Sequence, residues 1–307
     1  MQKNETYSVE ITGLTAEGEG VARVDGQVVF VPGVIPGERC KIKIDHVGRT
    51  CAYGSLVRVE KTSEHRVTPE CESFGHCGGC VFWHMDYACE LEQKRRRVQD
   101  ALSRIGGIDF PDLQITGSES IYGYRNKVQF PVQVQNGKAV AGFYKAGSHT
   151  VIPITDCKIQ PGVAKTIRAA VLSWMEKENV PAYDERTHTG LVRHIYLRYG
   201  AKSGQTLVCT VANCEALPKK KALVREILAA DANVTGIVVN YNTKKSNVIL
   251  GERFETLYGE GYLEDMLLGL TFRLSPAAFY QVNHDQAERL YEKAIEFARF
   301  TGEETAL

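Results

Sequence analysis

The sequence has no excess of charge of either sign. Its 307 residues include 37 lysines and arginines and 37 aspartates and glutamates, and the balance also holds within residues 1–66, 67–160 and 161–307. A protein that binds nucleic acid usually carries a basic excess on at least one domain. Composition alone therefore favours a metabolic enzyme, and any nucleic-acid binding has to come from locally placed cations.

The sequence also has no long apolar run. Residues 1–10, MQKNETYSVE, lack the apolar core of a signal peptide, and no stretch of about 18 apolar residues occurs in the chain. Hydrophobic residues make up 43% and charged residues 24%, the ordinary mixture of a globular protein. We therefore expect a cytoplasmic protein without membrane association, long enough for two or three domains.

The cysteines do not fit a disulfide framework. There are nine, an odd number, and no secretion signal accompanies them. Three of them cluster in the pattern Cys71-x5-Cys77-Gly-Gly-Cys80. The paired glycines let the backbone fold tightly around a bound centre and present N–H groups to sulfur. The clustering predicts a metal or cluster site, to which Cys157 would add a remote fourth thiolate.

This four-cysteine set is compatible with three interpretations. Four thiolates suit either a [4Fe–4S] cluster or structural zinc. Zinc ribbons usually pair two CxxC knuckles, whereas here a triplet precedes a distant single cysteine, so the pattern favours iron–sulfur. The third interpretation is that all four are buried without a ligand. The remaining five are interpreted as small core residues; they are Cys40, Cys51, Cys89, Cys209 and Cys214.

Strand and turn signals divide the chain into a small β domain and a larger mixed domain. Residues 7–60 carry short strand patterns separated by turn pairs such as Asp25-Gly26, which predicts a small antiparallel barrel over residues 1–66. A central mixed α/β domain is predicted over residues 67–283. Helices are predicted at 86–105, 162–179, 217–229 and 285–300, and strands at 127–134, 139–144, 150–154, 193–199, 205–211, 234–240, 246–250 and 267–274.

Two basic segments are candidates for contact with nucleic acid. The Lys94–Arg97 run lies in a predicted helix and is either a solvated face or a set of phosphate contacts. The segment 124–127 is either a strand edge carrying the cations Arg125 and Lys127, or a loop whose Tyr124 ring stacks on a base.

Residues 275–283, with the sequence SPAAFYQVN, close a predicted strand and open a predicted helix. Serine followed by proline is a usual helix entry, so a plain capping role is one interpretation. The other is a ligand-binding loop, because an aromatic ring can stack on a flat base while amides hydrogen-bond to its polar edges. Phe279, Gln281 and Asn283 are the candidates for that role.

Together these segments resemble the RNA m5U methyltransferase family, specifically its large-subunit (23S) rRNA uracil-5 branch, over essentially the whole chain. The resemblance implies that residues 1–66 form a TRAM domain, an OB-like RNA-binding module. It implies that Cys71, Cys77, Cys80 and Cys157 are the ligands of one [4Fe–4S] cluster. The tRNA-specific branch typically lacks both features, so large-subunit rRNA is the expected partner of a protein expected to be a monomer.

The resemblance also assigns roles in the loop 275–283. It implies that Gln281 contacts S-adenosylmethionine and that Phe279 lies beside the target base. Asn283, Arg125 and Lys127 are expected to contact the RNA.

Other family features do not occur before Leu307. The family needs a glycine-rich turn for the donor, acidic residues for its ribose, a nucleophilic cysteine and a general base. The cysteine adds to C6 of uracil, C5 takes the methyl group, and the base removes the C5 proton. We therefore expect residues 284–307 to be a truncated start of a Rossmann-like methyltransferase domain, represented only by its entry helix, in an otherwise α+β chain.

No catalytic residue is assigned on this interpretation, and the 307-residue chain is expected to be inactive by itself. Cys209 and Cys214 precede the donor-binding region of the family and are not assigned as the nucleophile. The alternative function is that of a non-catalytic RNA-binding protein holding iron–sulfur or zinc.

Overall fold

The computed structural model describes residues 1–302. The chain divides into two compact units, Met1–Gly117 and Ser118–Leu307. Residues 67–117 thus fall in the same unit as the N-terminal strands, whereas the sequence grouped them with residues up to 283. The predicted separate domain 284–307 falls in the second unit, and its residues 303–307 lie outside the described part of the chain. Within the described part, no helix is both long and apolar enough to span a bilayer.

The first unit begins with a six-stranded sheet. Its strands are β1 Thr6–Glu10, β2 Gly13–Leu14, β3 Gly20–Val24, β4 Gln27–Val31, β5 Arg39–Val47 and β6 Cys51–Lys61. They lie in the order β1-β5-β6-β4-β3-β2. A backbone hydrogen bond of 2.8 Å from Thr12 to Val21 links the chain after β1 to β3 near the other edge, so the sheet closes on itself.

One pair of strands differs from the predicted all-antiparallel barrel. β5 pairs with β1 and β6 but not with β4. β6 therefore runs beside β4 in the same direction, and this pair is parallel. Alternate residues such as Val29, Ile42 and Ala52 are completely buried in one core. This alternation is what the two-residue period of a strand requires.

The rest of the first unit holds the cysteine-rich segment and one helix. Helix α1, Tyr87–Asp100, continues as a short π-helical turn at Ala101–Ile105. Asp86 caps α1, because its carboxylate accepts a hydrogen bond of 2.7 Å from the Cys89 N–H. The predicted helix at 86–105 is confirmed as this composite element.

The second unit is built on a seven-stranded sheet. Its strands are β7 Lys127–Gln135, β8 Lys138–Tyr144, β9 Val151–Pro153, β10 Val192–Tyr199, β11 Thr206–Ala212, β12 Val234–Tyr241 and β13 Arg253–Gly259. They lie in the order β13-β12-β11-β10-β7-β8-β9. The central strands β10, β11 and β12 are buried almost throughout, as expected where both faces of a sheet are covered.

Each face of this sheet has its own core. Helices α2, Gly162–Lys177, and α3, Lys220–Ala230, contribute to the core on one face, which includes Trp174. The other face is covered by the hairpin of β14, Leu263–Leu267, with β15, Leu270–Leu274, and by helix α4, His284–Ala298. Along β10, Ile195 and Leu197 face the first core, whereas Tyr196 faces the second.

Two predicted strands differ in the structure. The segment 246–250 is not a strand, because asparagine side chains take the hydrogen bonds of backbone groups in and beside it. Asn242 donates to the Val248 carbonyl at 2.7 Å, and Asn240 accepts from the Gly251 N–H at 2.7 Å. The single strand predicted at 267–274 is the hairpin β14–β15. Leu268 and Gly269 have φ values of 50° and 76°, so they form its tight turn.

Candidate functional site

The loop 275–283 connects β15 to α4. Helix α4 begins at His284 with Asn283 as its cap, whose side-chain oxygen accepts a 3.2 Å hydrogen bond from the Gln286 N–H. The capping interpretation of Ser275-Pro276 is therefore wrong, because the chain runs as an irregular loop up to Asn283, whereas the helix predicted from residue 285 begins at His284. Pro276 and Tyr280 are buried, whereas the Phe279 side chain is 85% exposed.

Side chains of β10 hold this loop from beneath. The Tyr196 hydroxyl donates to the Pro276 carbonyl at 2.7 Å. The Arg198 guanidinium, only 2% exposed, donates to the carbonyls of Pro276 and Ala278. Because both anchors bind backbone, they fix the path of the loop and leave Phe279 projecting outward.

The segment 123–126 lies directly beside the loop. Asn126 donates its backbone N–H to the Val282 carbonyl at 2.9 Å and its side-chain amide to the Gln281 carbonyl at 2.8 Å. Arg125 forms a β-bridge with Asn283. The structure thus brings together the separately predicted residues Arg125, Lys127, Phe279, Gln281 and Asn283 on neighbouring backbone segments.

The same segment 123–126 also contacts the region of Cys157. The Gly123 N–H donates to the Lys158 carbonyl at 2.8 Å, and the Arg125 N–H donates to the Ile159 carbonyl at 2.9 Å. The loop 275–283 and the chain next to Cys157 are therefore connected through one short stretch of backbone.

Positive charge concentrates at this surface. Burial lowers the pKa of the Lys127 amine, and the nearby charges of Arg198 and Arg125 lower it further. Arg125 and Lys127, placed above the buried Arg198 in this way, attract an anion, and a phosphate group would relieve the mutual repulsion of the three cations.

The basic run of α1 is arranged differently. Lys94 pairs with Glu90 at 2.5 Å, while Arg95 and Arg96 both pair with Glu92 at 2.8 Å and 2.6 Å. Arg95 and Arg96 hold the pKa of the Glu92 carboxyl at about 2. Two carboxylates therefore offset two of the four positive charges of the run within its own helix, which favours the solvated-face interpretation of its sequence.

The cysteine segment is compatible with thiolate ligation. Cys71, Cys77 and Cys80 are half-buried, and the Gly79 N–H donates to the Cys77 sulfur at 3.4 Å. Burial raises the pKa of the Cys77 thiol, and the nearby charge of Cys71 raises it further. A metal centre would offset that effect, because coordination deprotonates a thiol. Cys157 lies in the second unit, so its place as fourth ligand stays a prediction.

Other potential ligands and nucleophiles have structural explanations. Among the described residues, His284, Asp285 and Glu288 form a group whose ligand atoms lie within 4.8 Å of one another. Lys202 already pairs with Glu288 at 3.0 Å, so we interpret this group as ion pairing at the start of α4. Cys209 is a fully buried core residue, and this burial raises the pKa of its thiol to about 12.

Sequence reasoning missed Tyr196, Arg198 and Asn126, which position the loop without being exposed themselves. For Arg198 the signal was its place between Leu197 and Tyr199 in β10, a strand that also carries Arg193 and His194. A buried cation with no adjacent acidic residue indicates that backbone carbonyls compensate it.

Comparisons with known proteins agree with this architecture. Residues 1–57 match the TRAM domain. Curated relatives named uncharacterized RNA methyltransferases occur in Clostridium tetani, with 38% identity over 99% of this chain and 66% of the relative. Others occur in Bacillus cereus, with 38% identity over 100% and 67%, and in Halalkalibacterium halodurans, with 39% identity over 100% and 67%. The chain spans about two thirds of the length of these relatives.

The fold also has a counterpart among solved structures. It is similar to the Pyrococcus abyssi tRNA (uracil-54, C5)-methyltransferase in complex with S-adenosyl-L-homocysteine, with a TM-score of 0.74 and 23% identity over 94% of this chain and 64% of that one. The chain is thus an α+β protein with an N-terminal TRAM domain. It belongs to the RNA methyltransferase family.

Proposed function

We propose that the protein containing this chain methylates C5 of uridine in RNA, with S-adenosylmethionine as donor, and that this chain supplies RNA-binding surfaces and one wall of the reaction site. The observation that carries the proposal is the loop 275–283. It is anchored through its backbone by Arg198, exposes Phe279, and lies beside Arg125. A fixed loop with an exposed ring and adjacent cations suits an unstacked base and its phosphates.

Each candidate residue has a role in this proposal. Phe279 stacks on or beside the target base. Gln281, half-buried next to it, offers an amide donor and acceptor to the polar groups of S-adenosylmethionine. Asn283 contacts the RNA through the side-chain amide that its capping oxygen leaves available, and Arg125 and Lys127 contact phosphate. The bound donor supplies the methyl group, and the rest of the donor molecule is the leaving group.

We propose large-subunit rRNA as the substrate, because the chain combines a TRAM domain with the four-cysteine set. A second candidate is tRNA, which the fold similarity to a tRNA (uracil-54, C5)-methyltransferase favours. We propose that the protein acts in the cytoplasm as a monomer.

Radiolabelled donor, incubated with the protein containing this chain and with unmodified rRNA or tRNA, tests the activity. We expect label in 5-methyluridine after nuclease digestion of the rRNA. Phe279→Ala and Gln281→Ala should lower the rate at least tenfold, since each removes a proposed reactant contact, whereas exposed Ile105→Ala should not change it. Label in tRNA alone would mean that tRNA, and not rRNA, is the substrate. The absence of label from both RNAs would refute the proposed activity.

We also propose that Cys71, Cys77, Cys80 and Cys157 bind one [4Fe–4S] cluster. The tight turn around Cys77, with an N–H directed at its sulfur, supports this. Anaerobically purified protein should be brown, with about four irons per chain, and serine at any of the four positions should lower the iron content. Cys51→Ser is the matched control and should retain iron. Stoichiometric zinc without visible absorbance would refute the cluster.

A further inference from the structure

Three rings form a cluster on the outer surface of the first unit. Phe30 on β4 and Tyr53 on β6 are cross-strand partners with ring centroids 5.6 Å apart. His46 on β5 is the partner of Tyr53 on its other side, with centroids 6.4 Å apart. The cluster therefore crosses three adjacent strands, with Tyr53 at its centre.

These rings contribute to the surface rather than to the core of the sheet. Val29 and Ala52, which precede Phe30 and Tyr53 in sequence, are completely buried and point inward. The strand period of two therefore turns Phe30 and Tyr53 outward, and a register shift between Ile44 and His46 brings His46 to the same side. Tyr53 is 44% exposed, and His46 is exposed as well. Cross-strand ring pairs stabilise a sheet, and rings that are also exposed present their faces to a ligand.

Charges around the cluster are balanced. Lys43 lies on β5 opposite Ser55, and Arg23 lies on β3 opposite Val28 of β4. Against these cations stand Asp45, which accepts a hydrogen bond from Ser55, and Glu19, whose charge acts on the Tyr53 phenol. The surface thus offers flat π faces without an excess of positive charge, which suits bases better than phosphates.

We propose that Phe30, Tyr53 and His46 form a stacking platform for unpaired bases of the RNA, and that its contribution to affinity does not depend on salt. This inference rests on the proposed RNA-directed function. The RNA element that this face binds is the unpaired loop of a stem–loop. Stacking on an aromatic ring tolerates any base, because every base has a π face, so the platform selects single strands over duplexes rather than a sequence.

Fluorescence anisotropy with a labelled rRNA stem–loop tests the platform at low and moderate salt. Tyr53→Ala should raise the Kd about tenfold, and by the same factor at both salt concentrations. The substitution removes a stacking contact with a base but removes no phosphate contact. Tyr53→Phe keeps the ring and should bind like the unchanged protein. Thermal unfolding of each variant establishes that the barrel is intact.

The same measurement separates failure of the platform from failure of the proposed function. If the unchanged protein binds the stem–loop and Tyr53→Ala binds equally well, the platform is refuted while RNA binding stands. If the loss disappears at moderate salt, or if a blunt duplex loses as much affinity, stacking on unpaired bases is refuted as well. If the unchanged protein binds neither RNA, both proposals fail.

Discussion

Arg198 is the residue on which the geometry of the loop 275–283 depends most. Arg198→Met preserves much of the buried volume but removes the donor to the Ala278 carbonyl, while Tyr196 still serves Pro276. A buried carbonyl that loses its partner costs about 1–3 kcal/mol, so we expect the free energy of unfolding to fall by roughly that amount. Urea denaturation measures the change.

The matched control is Arg96→Met, which alters an exposed pair with Glu92 on α1. Its effect should stay within about 0.5 kcal/mol, as is usual for surface ion pairs. An Arg198→Met variant that is no less stable than this control would contradict the anchoring role of Arg198.

His194 makes stability depend on pH. It is buried in β10, and burial lowers its pKa from 6.5 to about 4, with the charge of Arg193 lowering it further. The unfolded chain therefore takes up a proton on His194 between about pH 6.5 and 4, whereas the folded chain does not. The free energy of unfolding should fall as pH drops through this window, by roughly 3 kcal/mol in total, and this contribution should level off below it.

His194→Gln isolates this contribution, since glutamine does not titrate. Its stability is expected to fall less than that of the unchanged protein between pH 6.5 and 4, as measured by urea denaturation at each pH. Parallel curves for the two proteins would show that His194 is not the group responsible.

At the residue scale, the sequence predicted the exposed candidate residues better than the buried residues that position them. The cysteine triplet and the pattern Phe279-x-Gln281-x-Asn283 are local, so they can be recognised without a structure. Arg198 binds carbonyls 78 residues or more away in sequence. Backbone carbonyls are the same at every position, so no sequence pattern marks them as partners of a particular arginine.

At the scale of elements, prediction succeeded where packing follows periodicity. β11 and β12 are largely apolar runs that become central strands, and α4 begins one residue from its predicted start. Prediction failed at 246–250, where Asn240 and Asn242 take over hydrogen bonds that a strand ladder would supply. β13 was missed because its residues are mostly exposed at an edge, which leaves no apolar alternation to recognise.

The segment 123–126 couples two parts of the second unit. Its amides bind carbonyls of residues 158 and 159 on one side and of Val282 on the other. If Cys157 ligates the proposed cluster, removal of the iron by chelation should loosen the first contact. We expect faster hydrogen–deuterium exchange at the Gly123 and Arg125 amides, by about tenfold or more, because local opening governs exchange.

Amides in the buried strand β11 provide the internal control for the chelation experiment and should exchange unchanged. Cys157→Ser should reproduce the effect of chelation, whereas Cys214→Ser should not. Exchange at Gly123 and Arg125 that is equal with and without iron would show that the cluster does not stabilise this segment.

At the scale of the whole chain, zero net charge conceals an uneven distribution of paired and accessible cations. Glu90 and Glu92 offset two of the four positive charges of the basic run of α1, so its prominence in the sequence overstates its electrostatic field. Arg125 and Lys127 are less conspicuous in sequence, yet they lie close to Arg198 at the loop 275–283. Phosphate contact should therefore come from the second group.

Salt dependence distinguishes the two groups of cations. The slope of log K against log salt falls by about 0.7 for each single-strand phosphate contact that is lost. We expect Arg125→Ala and Lys127→Ala each to reduce the magnitude of the slope by roughly this amount when a labelled rRNA stem–loop is titrated by anisotropy. Lys94→Ala and Arg96→Ala should leave the slope unchanged, because each of these cations is already paired with a carboxylate of α1. The reverse outcome, a reduced slope for the α1 variants alone, would mean that α1 carries the phosphate-binding surface. It would also mean that the ion pairs of α1 open on binding, since a cation held by a carboxylate releases no counterion from RNA until that pair is broken.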